Sequence, residues 1–176
     1  FFPRPKLLLI SLVAYVALIV LFWMTIGDSV ATAIGFNLPA DDAEKVIGLG
    51  FFVTQDFLWF YLVYFVATIS FWWFWRRFSP HPWENWSILG TALIIFVTYY
   101  SVQVSVAINY WYRPFYDMLQ QALDGKSDIV EADFYWSALD FLMIAMVYVV
   151  VATGTNFFLS HYVFRWRTAM NDYYTG

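Results

Sequence analysis

Two carboxylates, Asp56 directly before one apolar run and Asp140 inside another, stand where an ionisable side chain is the default candidate for carrying a proton or capturing a cation. Their depth bears on that reading. Asp56 precedes Trp75 by nineteen positions and Asp140 precedes Ser160 by twenty, which is about 28 and about 30 Å along a helix. Both therefore fall near one membrane surface, and the depths favour hydrated acids at the mouths of their helices over buried proton carriers. A second pattern is polar but uncharged. Thr91, Thr98, Ser101, Ser105 and Asn109 fall within about 80° of one another on a helical wheel and form one stripe. Such a stripe can line a wet cavity, whereas small hydroxyl residues also let helices approach closely and bond to their own backbone. The packing reading is the stronger of the two. Gln103 lies off the stripe and needs a partner of its own.

Other chemistries find little support. With no cysteine, disulfides, thiolate metal sites and cysteine nucleophiles are excluded. Two histidines, His81 and His161, are too few for a convincing zinc site. Either could sense pH, but both lie at span ends, where a hydrogen-bonded interfacial histidine is the commoner role. No Walker-type phosphate loop and no Ser-His-Asp arrangement is present, so neither a catalytic site nor a cofactor is expected. A formal net charge of −4 argues against a nucleic-acid partner.

The elements that would position these residues are membrane spans. Of 176 residues, 62% are hydrophobic and 12% charged, against about 25% charged in soluble domains. Crossing a bilayer as a helix takes about 20 apolar residues. The runs Leu7–Ile26, Phe57–Trp75, Ile88–Ile108 and Phe134–Leu159 meet that length, and unpaired strands are not tolerated in lipid. The expectation is an all-α, polytopic helical bundle. Gly27–Val46, Arg76–Trp86 and Arg113–Asp133 read as connections, the second broken by Ser79-Pro80-His81-Pro82. Within the third, Phe115–Leu123 reads as a short amphipathic helix stopped near Gly125.

Basic residues set the orientation. With the N-terminus cytoplasmic, Arg4, Lys6, Arg76, Arg77, Arg165 and Arg167 lie inside, and Lys45, Arg113 and Lys126 outside. The outer face then carries eleven carboxylates, Asp28, Asp41, Asp42, Glu44, Asp56, Asp117, Asp124, Asp128, Glu131, Asp133 and Asp140. An acidic outer vestibule would concentrate cationic ligands, though hydrophilic loops need no such purpose. The first run is too long for a cleaved signal peptide and reads as a retained anchor. The chain starts without Met and stops in a segment that still reads as helical, so it is expected to be part of a longer protein.

Two stretches carry a family resemblance. One is Ser79-Pro80-His81-Pro82-Trp83-Glu84-Asn85-Trp86-Ser87-Ile88-Leu89-Gly90-Thr91, leading through the third span into Trp111-Tyr112-Arg113-Pro114-Phe115-Tyr116-Asp117. The other runs from Asn156-Phe157-Phe158-Leu159-Ser160-His161-Tyr162 through Val163-Phe164-Arg165-Trp166-Arg167-Thr168-Ala169-Met170-Asn171. Both resemble the SbmA/BacA peptide-antibiotic transporters of the bacterial inner membrane, most closely the rhizobial branch. The resemblance covers roughly Trp75 to Tyr174 and is mainly one of hydropathy in the first two spans. It implies a homodimeric importer with a transmembrane domain like that of ABC exporters but no nucleotide-binding domain. It further implies uptake of antimicrobial, proline-rich or cationic peptides driven by the proton gradient, and in rhizobia a part in symbiosis. Family members are about twice this length, so residues 1–176 would be the N-terminal part of one transmembrane domain. At Gln103 the chain departs from the enterobacterial branch, which has a glutamate there; an amide carries no proton, and coupling is not assigned to that position.

The reading that follows is a proton-driven peptide importer whose partners are peptides, membrane lipids and a second copy. Asp56 and Asp140 are its candidate coupling residues, and the stripe on the third span is its candidate cavity wall. The alternatives are the membrane domain of an ATP-driven transporter and a non-transporting protein affecting envelope lipid modification.

Overall fold

In the computed structural model the described residues are 1–2, 4–38, 45–124 and 131–175. They contain helices and no strand, so the all-α expectation is met. The order is α1 (Pro5–Thr25), α2 (Gly27–Ile34), a 3₁₀ turn (Gly48–Val53), α3 (Gln55–Phe78), a π-helical turn (Asn85–Gly90), α4 (Thr91–Leu123) and α5 (Glu131–Thr175). Four helical stretches are long and apolar enough to cross a membrane: Pro5–Thr25, Gln55–Phe78, Asn85–Leu123 and Glu131–Thr175.

Three details depart from the sequence reading. The stretch after the first span is not all connection, because Gly27–Ile34 forms α2 and ends at Gly35 with φ 103°, the left-handed stop that glycine permits. The third connection begins later than expected: α4 runs through Pro114 to Leu123 without a break. An interior proline removes one helical hydrogen bond and crowds the preceding turn. Here the turn is held from the side, by Trp111 stacked on Phe115 at 4.4 Å and packed at a tilt on Phe141 of α5 at 4.7 Å. Finally, α5 has 45 residues, about 67 Å at 1.5 Å per residue, so it outruns the hydrocarbon core at one end or both. Asp41, Asp42, Glu44, Gly125, Lys126 and Asp128, named above in the outer loops, lie outside the described residues.

The chain divides into two compact units. The first comprises Phe1–Asp41, Gln55–Ile95 and Phe157–Gly176. Its core joins Leu8 of α1 to Phe71 and Trp75 of α3 and Ile88 of the π turn, with Leu12, Tyr15 and Trp72 packed around them. Lipid is as apolar as these side chains, so helices in it are held by close contact and by polar bonds. Trp75 donates its indole N–H to Ser11 Oγ at 3.2 Å, and the Tyr15 hydroxyl lies 2.6 Å from Ser70 Oγ, both joining α1 to α3. The Tyr64 hydroxyl donates to the Ala92 carbonyl at 2.6 Å, joining α3 to α4.

The second unit comprises Asp42–Thr54 and Phe96–Asn156. Val104, Ala107 and Trp111 recur at i, i+3 and i+7 and form the buried face of α4, and Ile144 of α5 is fully buried. The Trp111 indole N–H donates to the Ser137 carbonyl at 2.7 Å. The 3₁₀ turn joins this unit through aromatic edges, Phe51 on Tyr110 at 5.6 Å and Phe52 on Tyr100 at 5.1 Å.

Candidate functional site

Within the first unit, the two stretches that carry the resemblance pack against each other. Trp86, in the π turn, stacks on Phe158 of α5 at 6.4 Å and lies 5.3 Å from the His161 ring. The Arg165 guanidinium sits 5.4 Å over the same indole and reaches His161 Nε2 in a long 3.5 Å hydrogen bond. One turn further along, Thr91 Oγ1 lies 2.9 Å from the Tyr162 hydroxyl and also donates to the Ser87 carbonyl at 2.7 Å. Gly90 is what lets Tyr162 in: a methyl group there would stand 2.8 Å from a ring carbon of Tyr162. A π turn carries an extra residue and interrupts the regular i→i−4 ladder, a distortion frequent at functional sites. Here it lies along the face that receives α5.

The turn before it is closed by a buried acid. Glu84 is 8% exposed. Its carboxylate accepts the His81 backbone N–H at 3.2 Å and lies 3.7 Å from Arg76 Nε at the end of α3. The Trp83 backbone N–H donates to His81 Nδ1 at 3.2 Å, a bond that requires that nitrogen to be unprotonated. Burial pushes the His81 pKa below its ordinary value, against the pull of the Glu84 charge.

The residues singled out from sequence are distributed as follows. Asp56 is exposed in the first turn of α3, in the first unit, where the helix dipole favours a carboxylate. Asp140 is exposed on α5, in the second unit, and packs against Gly48 at the start of the 3₁₀ turn. Gly48 has φ 84°, and a methyl group added there would stand 3.1 Å from Asp140 Oδ1. Lys45 lies nearby in the chain, with its ammonium 6.0 Å from the Tyr110 ring. Of the stripe, Thr91 belongs to the first unit and Thr98, Ser101, Ser105 and Asn109 to the second. Ser101 and Ser105 donate to the carbonyls of Val97 and Ser101 in their own helix. At 100° per residue the centre of the stripe lies about 125° round the helix from the Val104–Ala107–Trp111 face, with Ser101 nearest to it. Among the described residues no group of three or more His, Asp or Glu is placed to hold a metal ion.

Sequence reasoning passed over Glu84, Gly90, Tyr162 and Gly48. Glu84 had a local sign, an acid three residues after His81 and four before the apolar run that begins at Ile88. The glycines had none, because what each must admit arrives from far along the chain.

The sequence matches the SbmA/BacA-like family over residues 80–176, just over half of the chain, and the matched region contains, Ser79 apart, both stretches that meet around Trp86.

Proposed function

Because the chain belongs to the SbmA/BacA-like family, a family of peptide transporters, we propose that it imports peptides across the bacterial inner membrane and that the proton gradient drives the import. The family match over residues 80–176 carries this reading. The chemistry of the chain supports it in two ways. Carboxylates dominate the loops assigned to the outer side, and long-range attraction raises the local concentration of cationic peptides there. The Thr98–Asn109 face of α4, on which Thr98, Ser105 and Asn109 are exposed, offers hydroxyl and amide groups to a wet path for a peptide backbone. Asp56 and Asp140 are the proposed proton acceptors, both exposed, Asp56 in the first turn of α3 and Asp140 nine residues into α5. The working protein is proposed to be a homodimer with its N-terminus in the cytoplasm.

The test is uptake of a fluorescent proline-rich cationic peptide into liposomes holding the intact protein, without ATP. Uptake is expected with an inward proton gradient and not without one; absence of uptake by folded protein, or a need for ATP, overturns the reading. Asp56→Asn and Asp140→Asn are each expected to lower gradient-driven uptake, and unchanged uptake removes that residue from the mechanism. Thr98→Leu or Ser105→Leu is expected to block uptake while leaving the protein folded.

A further inference from the structure

Four arginines at one end of the first unit each lie over an aromatic ring. Arg4, the residue before α1, is 5.5 Å from the Phe78 ring. Arg76 and Arg77 lie 5.1 and 5.4 Å over Trp72 and Trp73 of the last turns of α3. Arg165 lies 5.4 Å over Trp86. The sites belong to one end because their supports are bonded together: Trp72 donates its N–H to Asn85 Oδ1 at 2.9 Å, and Leu8 of α1 packs with Trp75 and Ile88. Of the six cations of this end, Arg76 faces Glu84 at 3.7 Å. Arg4, Lys6, Arg77, Arg165 and Arg167 have no carboxylate within ion-pair distance among the described residues. In addition α1 begins with no side-chain cap and no acid in its first turn, so its positive dipole end faces the same surface.

A guanidinium laid on a ring can still present N–H groups at its edge, which fit a phosphate with two parallel hydrogen bonds; Arg165 already spends its Nε–H on His161 and offers its terminal N–H groups. Two of the four rings beneath are themselves open, Trp73 at 57% and Phe78 at 52% exposure, while Trp72 and Trp86 are part-buried. A ligand that answers both features must carry an anion at one end and apolar surface at the other. The cluster also sits where apolar spans end, at headgroup level. We propose that this collar binds the phosphates of anionic phospholipids, with the glycerol and upper acyl carbons resting on the exposed rings. A zwitterionic lipid carries its own cation beside the phosphate and leaves the five unpaired charges uncompensated.

Native mass spectrometry of the intact protein with phosphatidylglycerol or phosphatidylcholine tests this. Retention of phosphatidylglycerol is expected to exceed that of phosphatidylcholine, and Arg77→Gln and Arg165→Gln are each expected to weaken it about fivefold, the effect of losing one basic residue at a lipid surface. Arg77→Lys and Arg165→Lys, which keep the charge and lose the planar fork, should fall between. Lys45→Gln, in the second unit, should change nothing. Equal retention of the two lipids, or glutamine variants that hold phosphatidylglycerol as well as the parent, overturns the proposal. Displacement of the lipid by millimolar inorganic phosphate would make the collar a soluble-anion site and overturn the lipid as its occupant.

Discussion

Single side chains separate what this chain tolerates from what it needs. Trp59 and Trp75 are both almost fully buried in α3, but their indole nitrogens differ. Trp75 donates to Ser11, whereas the Trp59 N–H is buried among Phe22, Trp23 and Phe36 with no partner among the described residues. A lost hydrogen bond costs about 1 kcal/mol, and an unpaired buried donor is itself a cost that substitution removes. Trp75→Phe is therefore expected to destabilise by about 1 kcal/mol more than Trp59→Phe, as read from thermal midpoints in detergent. His81 gives a pH prediction. Its folded pKa is lowered, so the turn's contribution to stability is full above the ordinary histidine pKa of 6.5 and is lost as pH falls through the folded value. Ring chemical shifts followed by NMR should titrate below 6.5, and Glu84→Gln should lower the midpoint further by removing the opposing charge. In the sequence, His81 was legible as an interfacial histidine between two prolines. Its neutral state was not, because the burial behind it comes from packing.

At the scale of elements, the joint between the π turn and α5 rests on one missing methyl. Gly90→Ala would place Cβ 2.8 Å from a Tyr162 ring carbon, and that ring is pinned by Thr91 and flanked by Phe158. Overpacking of this kind costs about 1–3 kcal/mol. The expected result is a thermal midpoint lowered accordingly, with a much smaller effect when Gly90→Ala is made in a Tyr162→Leu background; an equal loss in both backgrounds would dissociate Gly90 from Tyr162. The helices themselves were readable from runs of apolar residues. Their ends were less so. Pro114 reads as a stop because local rules are written for an isolated helix, and the contacts that carry α4 past it come from Phe141, 27 residues on. The 3₁₀ turn at Gly48–Val53 escaped for the same reason, since its aromatics are held by Tyr100 and Tyr110.

For the whole molecule, the arrangement across the membrane is open to direct test, because these 176 residues hold no cysteine and introduced ones serve as probes once any cysteine elsewhere in the intact protein is replaced. A cytoplasmic N-terminus predicts that Ser79→Cys reacts with a membrane-impermeant maleimide only after the cells are permeabilised, and that Asp124→Cys reacts in intact cells. The reverse pattern would invert the assignment and move the carboxylate-rich loops to the cytoplasm. The amino-acid sequence by itself determined that this is an all-α membrane protein and to which family it belongs. Both follow from properties carried along the chain, namely apolar runs of bilayer length and two stretches of specific wording. Tertiary structure alone decided that those two stretches touch through Trp86 and Tyr162, that Asp140 packs on Gly48, and that four arginines lie on four rings. These are contacts between residues far apart in the chain, such as Thr91 and Tyr162 at a separation of 71. Local propensity does not encode them; the packing of helices in a solvent as apolar as their own side chains does.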